Sequence, residues 1–197
     1  MAMGRPRGFD KDEILDTVVE TFWQHGFEGT TMATLTAATG LNKPSLYAAF
    51  GSKEDMFRMA FARYRERQTQ FTGHALAQPQ ARAGVECLLL ALVDSLTQPN
   101  MPRGCLMVHG NLVGGADSAA IREELKLNRK AAEAKVRERL VRAQAEGEWP
   151  AAVDTADFAR YIATVIQGLA VQAASGAQRK ALHRVVTLAM AAWPAHP

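Results

Sequence analysis

Two groups of side chains in this 197-residue chain have the types and spacing to do chemistry. The first is Arg103-Gly104-Cys105, with His109 and Asn111 following. A thiol at a helix start beside a cation has its thiolate favoured twice, by the helix N-terminus and by the charge, and the thiolate is the form that reacts with electrophiles and oxidants. His109 and Asn111 supply polar groups able to orient a molecule in a mostly apolar pocket. Cys105 also suits the plainer role of a small buried hydrophobe, and His109 alone makes no metal site. The second group is Asn42, Lys43, Pro44 and Ser45 with Tyr47 and Lys53. Asn42, Lys43 and Ser45 bring hydrogen-bonding heads to the front of one short helix, where they suit base edges and phosphates, and Tyr47 and Lys53 can reach a phosphate backbone on either side. Arg5 and Arg7 lie in an arm without acidic residues that can follow a groove or a phosphate track.

Other chemistries lack their constellations. There is no phosphate-binding Walker loop, no G-x-S-x-G, no H-E-x-x-H and no dinucleotide fingerprint, so neither an enzyme nor a cofactor is expected. The two cysteines, Cys87 and Cys105, form no C-x-x-C pair, which leaves no case for a disulfide scaffold or a metal site. The longest apolar run, Cys87 to Val93, is far short of the ~20 residues that span a bilayer. Polar FDKDE stands where a secretory signal needs its apolar segment, so a cytoplasmic location is expected and no membrane partner. The net charge is +3, but in residues 1–67 nine Lys/Arg stand against nine Asp/Glu. A nucleic-acid face there must come from the placement of charge.

Hydrophobic spacing predicts helices almost throughout, punctuated by glycine, proline and capping residues; the fold class is all-α, with about nine helices. Asp10 with Glu13 has the capping-box spacing, and Ile14, Leu15, Val18, Val19 and Phe22 share a face, giving a first helix over about 10–25 closed by Gly26. Thr30 or Thr31 caps a second, short helix to Thr39. Gly40 turns the chain, and Pro44 sits in the first turn of a third helix ending near Phe50. Ser52 and Asp55 open a fourth, with Met56, Phe57, Ala60, Phe61 and Tyr64 on one side. Val85, Leu88, Leu89, Leu92, Val93 and Leu96 mark the fifth, and Cys105 to about Val113 the sixth. Asp117–Gly147 forms a charge-rich seventh with Ile121, Leu125, Ala132, Val136 and Leu140 inward. Asp154 with Asp157 caps the eighth, and Gln178–Trp193 makes the ninth. The chain divides into an N-terminal domain, residues 1–52 with its basic arm at 1–9, and a C-terminal domain, residues 53–197, linked by the fourth helix.

Two short helices joined by a glycine turn, the second fronted by polar residues, make the pattern of a helix-turn-helix. The second helix can be short because only its first turn must enter a major groove, while Leu46 and Phe50 anchor its back to the first helix. An ordinary helical hairpin with solvated Lys and Asn has the same pattern. The stretch FWQHGFEGTTMATLTAATGLNKPSLYAAFGSKEDMF, residues 22–57, narrows the choice. Its F-x-x-x-G-F-x-x-T-T opening, its Thr39-Gly40-Leu41 turn and its L-Y-x-x-F-x-S-K-E-x-x-F ending resemble the DNA-binding domain of the TetR family of bacterial transcriptional regulators. Leu35-Thr36 stands where Ile-Ala is usual there, and Thr39 where Ala is usual. The resemblance implies that Thr31, Tyr47 and Lys53 contact the DNA backbone and that Lys43, Pro44 and Ser45 occupy the variable positions that choose bases.

The same family implies a ligand cavity among helices four to seven and a dimer interface from the last two. The residues agree on the interface: Phe158, Ile162, Val165, Ile166, Leu169 and Ala173, then Leu182, Val185, Val186, Ala189 and Trp193, give apolar faces too wide for one bundle to hide. The G-C-L-M-V stretch around Cys105 resembles a subgroup whose members sense electrophiles or oxidants through a cysteine there. The expected protein is a homodimeric regulator, most simply a repressor, of a palindromic double-stranded DNA operator, released by a small-molecule or electrophile effector. The competing reading is a helical small-molecule-binding dimer without specific DNA recognition.

Overall fold

The computed structural model describes residues 9–109 and 118–195, which hold nine helices and no strand. Arg5, Arg7 and Asn111, and the side chain of His109, lie outside the described residues.

Helix α1 (Lys11–Gly29) starts at Asp10, whose carboxylate accepts the Asp12 amide at 2.8 Å. Gly26 breaks it with φ 68° and ψ 179°, a conformation that a residue without Cβ adopts cheaply. The helix does not end there, as its glycine predicts, but resumes to Gly29. The break returns Phe27 to the core, where its ring meets Phe57 edge-on at 5.4 Å; Phe22 meets Phe57 likewise at 5.1 Å. Such pairs contribute about 0.5–1.5 kcal/mol each beyond the area they bury. Thr30 is thereby buried, its hydroxyl donating to the Gly26 carbonyl at 2.6 Å, and Thr31 caps α2 (Met32–Thr39).

Gly40, at φ 69°, closes α2 and turns the chain into α3 (Lys43–Phe50), whose Leu46 and Phe50 are buried while Lys43, Pro44 and Tyr47 stay exposed. Ser52 and Asp55 make the reciprocal capping box that opens α4 (Lys53–Leu76). The remaining helices are α5 (Ala81–Leu96), α6 (Leu106–His109), α7 (Ala119–Ala145), α8 (Thr155–Ala174) and α9 (Arg179–Ala191). Helix α1 lies along α4, α4 along α5, α7 along α8, and α5 is covered by α8 and α9. Among the described residues no helix is long and apolar enough to cross a membrane.

Two expectations about faces are corrected. Ala132 is exposed; the inner side of α7 is Ile121, Leu125, Val136 and Leu140 with the buried Arg139, which donates to the Gln78 and Pro79 carbonyls at the α4–α5 turn. On α8 and α9, Phe158, Ile162, Leu169, Ala173, Leu182, Val186 and Ala189 are buried in the chain's own core, and Val165, Ile166 and Trp193 are half-buried. The wide apolar faces are split: one side of each helix covers α5, leaving Tyr161, Val171, Val185 and Leu188 outward.

Candidate nucleic-acid interface and thiol junction

The exposed front of the molecule is built from helix starts. Thr31 accepts the Thr34 amide at 3.0 Å, and its exposed hydroxyl caps a helix whose first-turn N–H groups are the natural seat for a phosphate oxygen. At α3 the Asn42 side chain accepts the Ser45 amide at 2.9 Å. Its carbonyl oxygen is therefore occupied by the cap, and Asn42 is left with its amide N–H groups to offer. Lys43 extends over the Tyr47 ring, Nζ 5.7 Å from the centroid, so the two residues form one exposed cationic and aromatic edge. Lys53 is held more tightly, with Nζ 4.4 Å over Phe27, and burial lowers its pKa.

Charge placement resolves the balanced totals of this half. Asp16 pairs with Arg63 at 3.0 Å and Arg67 at 2.8 Å, Asp12 with Arg63 at 3.5 Å, and Glu124, from α7 outside this half, with Arg58 at 2.9 Å. These carboxylates are engaged by the arginines of α4. Lys43 has no ion-pair partner among the described residues. The lysine of the reading edge keeps its charge for an incoming partner.

Cys105 immediately precedes α6 and is buried, its Sγ accepting the Tyr64 hydroxyl at 3.3 Å. Arg103 does not attend it, contrary to the sequence expectation; its guanidinium donates to the Ala177 carbonyl at 2.6 Å, because that bond reaches the open α8–α9 turn. The nearby cation is Arg129 of α7. Burial pushes the thiol pKa up, against smaller opposite pulls from Tyr64, from the Met107 and Val108 amides and from Arg129. Cys105, Met107, Val108, Val136 and Ile166 line an apolar cavity of about 40 Å³ between α6, α7 and α8.

Two residues that the sequence reading left out of the site complete this junction. The Trp23 indole of α1 donates to the Gly104 carbonyl at 2.9 Å and meets the Tyr64 ring edge-on at 5.0 Å. Trp23 lies next to the Phe22 stripe, and its polar N–H on a buried helix side was the available signal that it needs a distant acceptor. Among the described residues no cluster of His, Cys, Asp and Glu could hold a metal ion.

A three-helix head with an exposed short reading helix, set on a helical body, defines a helix-turn-helix DNA-binding protein. The chain belongs to the TetR family of bacterial regulatory proteins: that family's model matches residues 14–60, and the tetracyclin repressor-like C-terminal domain matches residues 81–189. It is 33% identical over 97% of its length to the HTH-type transcriptional repressor ComR of Escherichia coli strain K12, of which it covers 92%. Among solved structures it is similar to a cysteine mutant of the TetR family transcriptional regulator CifR complexed with 26bp double-strand operator DNA, at 42% identity and TM-score 0.92, covering 96% of this chain and 100% of that one. A TetR transcriptional regulator from Rhodococcus sp. RHA1 matches at 37% identity and TM-score 0.65, over 92% of this chain and 98% of that one.

Proposed function

We propose that this protein is a transcriptional repressor that binds a palindromic DNA operator as a homodimer and releases it when an effector reaches the C-terminal domain. The observation that carries the reading is the first turn of α3, where Lys43, Pro44 and Tyr47 stand exposed on a helix whose back, Leu46 and Phe50, is fully committed to the head. Such a helix enters a major groove; Thr31, Tyr47, Lys53 and the arm residues Arg5 and Arg7 hold phosphates on either side. ComR is a repressor, and the CifR complex contains operator DNA. A two-fold dimer meets two half-sites, and an effector acts by preferring the arrangement of heads that does not fit them. Residues 1–52 are the DNA-binding domain in this reading and 53–197 the ligand-binding and dimerisation domain. Cys105 is the atom that receives an electrophile, next to the apolar cavity.

The test is a titration of the duplex flanking the protein's own gene at several salt concentrations. Wild type should bind with a steep salt dependence, and Lys43→Ala should bind more weakly with its slope reduced by about one or with altered base preference. If affinity, preference and slope are all unchanged, α3 does not read DNA; if wild type shows no sequence-specific binding, the protein is instead a small-molecule-binding dimer.

A further inference from the structure

Helices α4 and α7 run side by side, and their charges are not arranged alike along the groove between them. Near the head the groove is bridged: Arg58 Nε donates to Glu124 at 2.9 Å. Two helical turns further along α4 comes Arg65, and from the opposite wall α7 presents Lys135. Both line one hollow of about 90 Å³, together with Gln68, Thr69, Thr72 and Asn128. Among the described residues no carboxylate lines this hollow. Neither cation has an ion-pair partner among the described residues; Arg65 is laid over the Phe61 ring, 6.0 Å from its centroid. Two cations on the lining of one hollow make it attractive to a counter-charge, and a partly enclosed groove screens that counter-charge less than open water does. The floor is different in kind: Met107, Ala131 and Ala132.

We infer that this hollow binds a small organic carboxylate, its anionic end drawn to the lining cations Arg65 and Lys135 and its apolar body on Met107, Ala131 and Ala132. The guanidinium suits a carboxylate because it offers parallel N–H donors to both oxygens, while the ammonium adds a mobile point charge. An unbranched thioether adapts its shape to whichever apolar body arrives. A hollow of this volume accommodates a single aromatic ring or a short chain. This deepens the regulatory function proposed above and rests on it only for the ligand's being an effector, since binding is measured without DNA.

The experiment is calorimetric titration of the full-length protein with benzoate, methyl benzoate and inorganic phosphate, on wild type, Arg65→Gln, Lys135→Gln and Lys135→Arg. Both side chains are exposed, so the variants keep the fold, which circular dichroism checks. Benzoate should bind wild type and Lys135→Arg, lose about tenfold in affinity or more in each glutamine variant, and bind better than phosphate or the uncharged ester. Equal binding of the ester, equal binding of phosphate, an undiminished benzoate affinity in both glutamine variants, or no benzoate binding at millimolar concentration overturns the inference. A protein that takes benzoate as described but never binds DNA keeps the site and loses only the regulator.

Discussion

The indole N–H of Trp23 donates to the carbonyl of Gly104 across 81 residues of sequence, with both groups buried. The residue before Gly104 holds the Ala177 carbonyl at the α8–α9 turn, and the residue after it, Cys105, holds the Tyr64 hydroxyl of α4. Three consecutive residues thus touch the DNA-binding head, the helix that leaves it and the outer helices of the body. A change at Cys105 has a short mechanical route to α1.

Replacing Trp23 by Phe keeps most of the apolar volume and the ring contact but leaves the Gly104 carbonyl buried without a donor. The expected cost is about 1–3 kcal/mol of unfolding free energy, the desolvation penalty of an unpaired buried group. Urea unfolding should show the midpoint falling with little change in slope. A loss of only a few tenths of a kcal/mol would mean that water or a repacked side chain takes the donor's place.

The outward residues of α8 and α9 carry the dimer in this reading. Leu188 is 72% exposed and Val185 43%, too much apolar surface for a free helix pair to leave uncovered. Leu188→Glu should yield folded monomers by light scattering at concentrations where wild type is dimeric, with operator affinity falling because one head meets one half-site. If the variant remains a dimer, the two-fold contact uses another face.

Helix caps set the acid response. Hydrogen bonds from the Ser52 hydroxyl and amide hold the Asp55 carboxyl below its ordinary pKa, and the Asp157 and Ala156 amides do the same for Asp154. Both folded-state values lie below the unfolded ones, so these carboxylates stabilise the fold above the unfolded Asp range, about pH 4, and that stabilisation is lost as pH falls through the folded values. In an unfolding series from pH 6 downward, Asp154→Asn should be less stable than wild type at pH 6 and the gap should narrow toward pH 2. A gap that stays constant removes the carboxylate charge from the explanation.

The helices were legible because capping residues and apolar spacing are local: Asp154, Ser52 with Asp55, Gly40 and Pro44 sit where their types require. The break at Gly26 was legible too, but not the extra turn after it, since that turn is held by Phe27 packing on Phe57. Residues of the reading edge were found because exposure and polarity coincide in a short segment. What escaped was long-range. Periodicity shows that α8 and α9 are apolar on wide faces without showing which half α5 covers, and proximity in sequence assigned Arg103 to Cys105 when the fold sends it to Ala177.

Cys105 supplies the last prediction. Its thiol is buried and its pKa is raised by that burial, with the Tyr64 hydroxyl pulling the other way by donating to sulfur. Half-buried Cys87 should therefore be alkylated by iodoacetamide ahead of Cys105 near neutral pH, and Cys105 should react faster as pH rises. Tyr64→Phe removes the donor that favours thiolate, so the alkylation profile of Cys105 should move to higher pH. If it moves lower, access through the vacated hydroxyl position governs the rate instead. The functional arm compares operator release by a small apolar quinone in wild type, Cys87→Ser and Cys105→Ser. Release in the first two and retention in the third makes Cys105 the receiving atom. Release in all three gives that role to a noncovalent ligand, and Cys105 is then a packing residue whose sulfur serves Tyr64.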